Sequence, residues 1–281
     1  MTAVRRIGFA YNPTNEAADE LRARAEGWCG VRGLDHWSAP SGELERLVAE
    51  LPTTDVLVVL GGDGTFLRAA RAVAEVDVPL LGVNLGKIGF LSKVEADGLE
   101  SVLAQIAAGQ FAVDERMTLR GVIRPAGRTG SQEFFALNDV VVARGALARV
   151  VRVDVAIGPS HLATFIADGL VVASPTGSTG YSFSAGGPIL DPLSRNLVVT
   201  PIAGYLSAIR SVVVSPTQTV TARVVDAIEA LVSIDGREDL PIAVGDVVEV
   251  SAGARSIRFV EPAGAIPFWD LLRHKVELLP S

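Results

Sequence analysis

A glycine-rich loop directly after an apolar run is the first place in this sequence where chemistry is expected. Residues 56–60 are all Val or Leu, and Gly61-Gly62-Asp63-Gly64-Thr65 follows at once. Glycines let a phosphate approach the backbone closely. The loop can therefore place backbone amides and one carboxylate, that of Asp63, beside phosphate groups.

The segments around the loop indicate the elements that position it. Asp-Gly alone is an ordinary hairpin-turn signal. Here, however, a helical pattern follows, and strand character resumes over residues 78–83. The apolar positions of that helical pattern are Phe66, Leu67, Ala70, Val73 and Ala74. The order strand, loop, helix, strand predicts a βαβ unit, whose helix N-terminus favours an anion through its unpaired N–H groups and its dipole.

Polar residues inside apolar segments form a second group of candidates. Asn138 and Asp139 interrupt an apolar run, Asp168 precedes Gly169 at the start of another, and residues 174–181 contain five hydroxyl side chains in eight positions. A buried polar side chain without a partner costs about 1 to 3 kcal/mol. A bound ligand with polar groups at its edge is one possible partner for these side chains.

Each feature also has a purely structural interpretation. Asp63 is a favoured capping residue for the helix that follows it. The Asn138-Asp139 pair fits a β-bulge or turn, Asp168 fits a turn, and the hydroxyl-rich run fits a Ser/Thr-rich turn. The residue types alone leave these alternatives open.

Several motifs, taken together, resemble those of the bacterial NAD kinases. The glycine loop alone is shared with diacylglycerol and sphingosine kinases and with phosphofructokinases, so it indicates phosphoryl transfer without naming the acceptor. The resemblance covers roughly residues 55–275, and the segments that carry it beyond the loop are Gly82–Leu91, Leu137–Val141, Asp168–Leu170, Pro175–Tyr181 and Ser184–Pro188. It implies ATP-dependent phosphorylation of the adenosine-ribose 2′-hydroxyl of NAD, giving NADP.

The resemblance assigns Asp63 the role of the base that accepts the proton of the attacking hydroxyl. An ordinary Asp pKa of about 3.9 makes a poor base for an alcohol. Its help would therefore come late in a loose transition state, with orientation of the nucleophile mattering as much as proton removal.

Binding roles follow from the same resemblance. Asn138 can donate and accept hydrogen bonds, which suits an adenine or ribose edge. Asp168 matches a residue on the nicotinamide side, and Tyr181 either stacks on adenine or fills a wall. The complete set of predicted nucleotide-binding residues is Gly61, Gly62, Gly64, Thr65, Asn138, Asp139, Arg149, Asp168, Thr179, Gly180, Tyr181, Ser182, Phe183, Ser184 and Arg237.

Some positions depart from the family pattern, and most of them lie in the half expected to bind the acceptor. The departures are Asp139 in place of the more frequent Glu, Gly180 for Ala, Gly204-Tyr205 for Pro-His, Ser211 for Pro and Arg237 for Gln. The phosphoryl-transfer loop is intact. Acceptor identity is therefore the feature that the sequence determines least.

Two other functions remain as alternatives. A kinase for a lipid or another nucleotide would share the glycine loop, although a lipid kinase would not need the Asn138-Asp139 and hydroxyl-rich features. A catalytically silent NAD(H)-binding sensor would not need the intact loop with Asp63.

Composition narrows the class of protein. With 281 residues and 49% hydrophobic content the chain can bury a sizeable core, and its net charge of −7 argues against nucleic-acid binding. No apolar run reaches the roughly 18 residues of a membrane helix. The single cysteine, Cys29, excludes an intrachain disulfide, and together with the absence of an N-terminal signal stretch it predicts a cytoplasmic protein.

The sequence shows no metal-binding motif of its own. The three histidines show no ligand or triad spacing, and no carboxylate cluster has metal-binding spacing, so Mg²⁺ or another divalent cation is expected to arrive with ATP. The substrates are NAD and ATP, and the assembly is a homodimer or homotetramer.

The strand and helix patterns predict two domains. Residues 1–117 indicate an α/β domain with a parallel sheet, and residues 118–261 a β-rich, dinucleotide-binding domain with long strands over 132–142 and 162–173 and a last strand over 256–260. Residues 262–281 are assigned to the first domain, and the stretch from Phe268 to Val276 is expected to form an amphipathic helix that packs back on that domain, as the resemblance implies.

Overall fold

The structure, a computed structural model, describes residues 4–86, 89–145, 149–205 and 209–277. The chain divides into two compact units. Unit 1 comprises Met1–Glu115 and Ile257–Ser281, and unit 2 comprises Arg116–Ser256. The predicted fold class, an α/β domain and a β-rich domain with a C-terminal helix, is confirmed.

Unit 1 is built on a mostly parallel sheet with the strand order β2-β1-β3-β4-β19-β6, in which β5 pairs with β4. The pairs β1–β2, β1–β3, β3–β4, β4–β5 and β4–β19 are parallel. Its elements are β1 (Arg6–Tyr11), α1 (Glu16–Val31), β2 (Asp35–Pro40), α2 (Leu44–Glu50), β3 (Val56–Leu60), α3 (Asp63–Val73), β4 (Leu80–Asn84), β5 (Val94–Glu95), α4 (Leu99–Ala107), β6 (Phe111–Arg116), β19 (Ile257–Pro262) and α6 (Phe268–Glu277).

The core of unit 1 explains the continuous apolar run before the glycine loop. Every residue of β3 is buried, as expected for a parallel strand covered on both faces. One face packs with apolar residues of α1 and α4. Phe66 of α3 lies with its ring 4.8 Å from that of Phe259 in β19. The loop at the end of β3 is therefore anchored by a rigid, buried strand.

Unit 2 consists of two six-stranded sheets with the orders β11-β10-β15-β18-β7-β8 and β14-β13-β12-β9-β16-β17. Valines and leucines of both sheets share one hydrophobic cluster. The elements are β7 (Leu119–Arg124), β8 (Gln132–Ala136), β9 (Asp139–Arg144), β10 (Val151–Ile157), β11 (Ser160–Ala167), β12 (Gly169–Ala173), α5 (Tyr181–Ser184), β13 (Leu197–Ile202), β14 (Val212–Val214), β15 (Val220–Asp226), β16 (Ala230–Ile234), β17 (Glu238–Ile242) and β18 (Val247–Ala252).

The structure corrects several strand predictions. The predicted strand 132–142 is two strands, and because β8 and β9 belong to different sheets the chain passes from one sheet to the other at Leu137 and Asn138. The predicted strand 162–173 likewise breaks at Asp168. The last strand, 257–262, belongs to unit 1 because it pairs in parallel with β4, so the second unit boundary lies before Ile257 rather than after residue 261.

The C-terminal helix packs on unit 1 as expected. The ring of Phe268 in α6 lies 6.2 Å from that of Phe90. Within the described ranges, no helix is long and apolar enough to cross a membrane.

Candidate functional site

The glycine loop of unit 1 has a backbone that requires glycine at its first position. Gly61 has φ +151°, and an added Cβ would lie 2.7 Å from the hydroxyl oxygen of Thr65. The amide of Gly61 donates to the carbonyl of Val83 at 3.0 Å, which ties the loop to β4. The side chain of Thr65 therefore packs directly against the start of the loop.

Asp63 is the first residue of α3, and Gly62 occupies the N-cap position. The N-cap interpretation of Asp63 is therefore wrong. Instead, the backbone of the segment after β4 closes over the carboxylate, because a Cβ at Gly89 would collide with Asp63 Oδ1. Lys87 and Ile88, which precede this glycine in the family-like segment, lie outside the described residues.

Opposing effects act on the pKa of the Asp63 carboxyl, and the net result is a raised pKa. Its Oδ1 atom is buried and makes no hydrogen bond within the described part of the chain. Burial raises the pKa of the carboxyl, whereas the Leu91 amide, the Lys275 ammonium and the Phe90 amide lower it. Burial strengthens the carboxylate as a base, and the amides and the cation favour its ionised form.

Two cations near this loop were missed by sequence reasoning. Lys275 of α6 lies with Nζ 5.3 Å from the centre of the Phe90 ring. Arg68 Nη2 is 3.5 Å from Thr65 Oγ1, and Arg68 Nε donates to Ser41 Oγ at 2.9 Å. The three-residue helical spacing from Thr65 to Arg68 is a signal that could have found Arg68. No local signal connects Lys275 to the loop.

In unit 2, the Asn138-Asp139 pair lies where the chain leaves β8 and enters β9. The carboxylate of Asp235 accepts hydrogen bonds from three successive amides, those of Leu137 at 2.9 Å, Asn138 at 2.7 Å and Asp139 at 3.1 Å. The bend is thus fixed by a side chain from the turn after β16. Sequence reasoning gave Asp235 no role.

Asp139 is buried, with 5% of its surface exposed. Burial and the neighbouring Asp235 carboxylate raise the pKa of Asp139 to about 7. Burial also raises the pKa of Asp235, while its three amide hydrogen bonds and Arg237 lower it. Beside this pair, Asn138 Oδ1 is buried and makes no hydrogen bond to any described residue.

A cavity of about 440 Å³ opens beside these residues. Its polar lining comes from Asn138, Asp139, Tyr181, Ser233, Asp235 and Asp239. Tyr181, one of these lining residues, is 48% exposed. A larger cavity of about 540 Å³ shares Leu231 and Asp239 with it but contains no predicted site residue.

Most hydroxyl groups of residues 174–182 have partners within the protein. Ser174 Oγ donates to the Leu137 carbonyl at 2.5 Å, Ser178 Oγ to that of Pro175 at 2.7 Å, and Thr179 Oγ1 to that of Thr176 at 3.1 Å. Ser182 is buried, with its hydroxyl 3.4 Å from that of Thr200. The run therefore builds a tight turn, and Phe183 and Ser184 are exposed at its end.

The remaining predicted residues are spread over unit 2. Asp168 forms an ion pair with Arg144 at 2.8 Å, and its carbonyl accepts the Arg144 amide at 3.0 Å. The amide of Gly180 donates to the Gly177 carbonyl at 2.9 Å. Arg149 and Arg237 are exposed. Sequence reasoning missed Arg144, which neutralises the Asp168 carboxylate.

Metal ligands are sparse in both units. Over residues 4–86, 89–145, 149–205 and 209–277, no group of three or more His, Cys, Asp or Glu side chains could hold an ion.

Family models match both halves of the chain. The ATP-NAD kinase N-terminal domain matches residues 5–111, and the ATP-NAD kinase C-terminal domain matches residues 137–262. Among curated proteins, an NAD kinase of Dehalococcoides mccartyi is 36% identical over 256 residues, covering 91% of this chain and 90% of its own length. One from Heliobacterium modesticaldum is 37% identical over 282 residues, covering 96% and 98%.

Solved structures show the same fold. Yeast NADH kinase complexed with NADH superposes with a TM-score of 0.86 at 23% identity, covering 99% of this chain and 88% of the other. An NAD kinase from Archaeoglobus fulgidus in complex with ATP superposes with a TM-score of 0.79 at 23% identity, covering 98% and 100%.

Proposed function

We propose a division of labour for this chain, which belongs to the ATP-NAD kinase family and phosphorylates NAD with ATP to give NADP. In the proposal, unit 1 handles the phosphates and the proton, and unit 2 binds the dinucleotide. The observation that carries it is the half-buried Asp63 carboxylate of the glycine loop, whose Oδ1 atom is buried and makes no hydrogen bond among the described residues.

Asp63 acts as the proton acceptor in this proposal. Its Oδ1 accepts a hydrogen bond from the adenosine-ribose 2′-hydroxyl, which orients the hydroxyl oxygen toward the γ-phosphorus of ATP. As the new P–O bond forms and the bond to the ADP oxygen breaks, the proton passes to the carboxylate. Because burial raises the pKa of Asp63, it is a stronger base than an exposed Asp.

The phosphates of ATP bind at the start of α3. Gly62 and Gly64 are exposed there, and neither carries a side chain that would keep a phosphate from the backbone. Arg68 and Lys275 supply positive charge within the same unit. Lys275 also reduces the repulsion between Asp63 and the anionic phosphates.

The acceptor binds through the cavity beside Asn138 and Asp139. Three carboxylates, those of Asp139, Asp235 and Asp239, line it, and they would repel a phosphate. An uncharged nucleoside portion of NAD suits this lining, with Asn138 hydrogen-bonded to its polar edge and Tyr181 against its ring. The proposed contacts of Arg149, Asp168, Thr179, Gly180, Ser182, Phe183, Ser184 and Arg237 extend along the rest of the dinucleotide.

A divalent cation accompanies ATP in the proposal. At the loop, Asp63 has a carboxylate oxygen that makes no hydrogen bond in the described chain, and the ATP phosphates and water would provide the other ligands. When bound, the ion neutralises charge that develops on the phosphoryl oxygens. The proposal also keeps a cytoplasmic location and a homodimer or homotetramer, which the single cysteine and the family membership support.

An acceptor panel tests the proposed assignment. Purified protein is incubated with ATP, Mg²⁺ and each of NAD, NADH, AMP and adenosine, and products are identified by mass. NAD is expected to give the highest kcat/KM. If AMP exceeded NAD by about tenfold, a difference of about 1.4 kcal/mol, the dinucleotide site proposed here would be wrong.

A further inference from the structure

The carboxylate of Asp235 holds the backbone from which Asn138 and Asp139 project. Oδ2 accepts the amide of Leu137, and Oδ1 accepts the amides of Asn138 and Asp139. In return, the Asp235 amide donates to the Asp139 carbonyl at 3.0 Å. Hydrogen bonds to an ionised acceptor are roughly twice as strong as neutral ones, so this arrangement fixes the bend firmly.

The backbone of Asp235 is itself unusual. Its φ is +51°, and only one other non-glycine residue in the described ranges, Ala203, has a positive φ. Asp tolerates this conformation better than most residues, because its short side chain can hydrogen-bond locally. Here that side chain reaches three amides of another segment, which an ordinary hairpin turn does not require.

Asp235 and Asp139 also face the same cavity. The other titratable groups that line this cavity are Asp239 of β17 and Tyr181 of α5, and Arg237 of the turn acts on Asp235. Burial raises the pKa of Asp235, but three amides and Arg237 oppose this by favouring its anionic form. For Asp139, both burial and the negative charge of Asp235 raise the pKa. Of the two carboxyls, Asp139 is therefore the one that titrates first as pH falls from the alkaline side.

We propose that Asp235 is a positioning residue for the acceptor: it aims the Asn138-Asp139 pair into the cavity and makes acceptor binding respond to pH through Asp139. This inference rests on the proposed function, in which the pair contacts NAD. It adds Asp235 to the residues predicted to serve acceptor binding. It also explains why the backbone of Asn138 and Asp139 is held by a charged side chain.

The experiment measures the Kd of NAD by calorimetry without ATP. The measurement is repeated at pH values below and above about 7, which is the pKa of Asp139. The wild-type chain is expected to show an inflection near that pH. In Asp139→Asn the inflection should be absent, which also excludes the three histidines as its source. In Asp235→Asn the inflection should move to lower pH by about one unit, since a like charge is removed. NAD binding at pH 8 should weaken about tenfold in this variant.

Asp246→Asn is the matched control in the same unit. Asp246 is 3% exposed, and its carboxylate accepts the amides of Ala126 at 2.7 Å and Ala243 at 2.9 Å, so it resembles Asp235 as a buried acceptor of backbone amides. It does not line the cavity. This variant is expected to lower the melting temperature, as Asp235→Asn does, while leaving both the NAD Kd and its pH profile unchanged.

Several results would overturn the inference. An Asp235→Asn variant with the binding behaviour of Asp246→Asn would show that Asp235 supports the fold alone. If Asp235→Asn does not fold, wild type is compared with Asp139→Asn instead. An inflection that persists in Asp139→Asn would show that Asp139 does not cause the pH dependence of NAD binding, and the inference would be wrong. If Asn138→Ala leaves the NAD Kd unchanged, the proposed contact fails as well. If Asn138→Ala weakens binding and Asp235→Asn does not, only the inference about Asp235 fails.

Discussion

Each unit places an aspartate at its candidate site, half-buried Asp63 in unit 1 and buried Asp139 in unit 2, and the two have opposite surroundings. Burial raises the pKa of both Asp63 and Asp139. In unit 1, two backbone amides and Lys275 offset part of this effect, and the pKa of Asp63 remains raised. In unit 2, the charge that acts on Asp139 is another carboxylate, that of Asp235, which adds to the effect of burial. The same residue type is thus kept more ionised at the phosphate loop and closer to neutral at the acceptor cavity.

The difference follows from what each carboxyl must do. A proton acceptor must be ionised before the reaction, so neighbours that stabilise the anion are useful. A binding residue beside other carboxylates can carry a proton, and a protonated carboxyl can donate as well as accept a hydrogen bond. Aspartates are therefore better compared by their neighbours than by their burial.

The largest effect is expected from Asp63→Asn. The amide keeps the shape of the side chain but cannot accept the proton, so kcat should fall by about 10² to 10⁴. The Kd of NAD, measured without ATP, should change little. A variant with nearly wild-type kcat would show that Asp63 is not the proton acceptor. The functional contrast between Asp63 and Asp139 would then be wrong.

The next effect concerns the acceptor side. Asn138→Ala removes the amide side chain but keeps the backbone N–H that Asp235 holds at 2.7 Å. The KM for NAD should therefore rise by about tenfold to a hundredfold, with the melting temperature of the ligand-free protein nearly unchanged. A large loss of melting temperature with little change in KM would instead indicate a structural polar network.

The substitution Lys275→Met tests whether the charge of Lys275 keeps Asp63 ionised. The substitution removes the charge that lowers the pKa of Asp63 and keeps an unbranched apolar chain near Phe90. Since the pKa then rises and the ionised form is needed, the acid limb of the kcat/KM profile should move to higher pH, by about half a unit to one unit.

Two variants control the Lys275 prediction. Lys275→Arg should restore the wild-type pH profile, because it restores the charge. Arg273→Met, on the same helix, replaces a cation that is 64% exposed and pairs with Asp270 at 3.5 Å, and it should leave the profile unchanged. An equal shift in Lys275→Met and Arg273→Met would point to general surface charge instead.

Local patterns predicted the parts of the site that depend on neighbouring residues. The βαβ unit around Asp63 follows from a buried apolar strand, glycines and helical spacing, all within residues 56–83. The Asn138-Asp139 pair was found because polar residues interrupt an apolar run. Both signals lie within a short window of sequence, where periodicity is informative.

Contacts between distant segments could not be predicted in this way. Asp235-Gly236 has the sequence of an ordinary hairpin turn, and nothing near it indicates that its carboxylate binds the amides of residues 137–139. Strand β2 reads as polar, because it is an edge strand that pairs only with β1. The strand at 257–262 carries no local mark of the sheet that it joins.

The smallest effect is expected from Arg237→Gln. Arg237 is exposed, and its charge lowers the pKa of Asp235. Exposed ion pairs contribute about 0.2 to 1 kcal/mol, so the KM for NAD should change by no more than about fivefold. If Arg237 favours acceptors that carry phosphate, the ratio of kcat/KM for NAD to that for adenosine should fall in this variant, and the difference from wild type should diminish at high salt. The same ratio in both proteins at low salt would show that Arg237 does not select the acceptor, which leaves that selection to the cavity lined by Asn138, Asp139 and Tyr181.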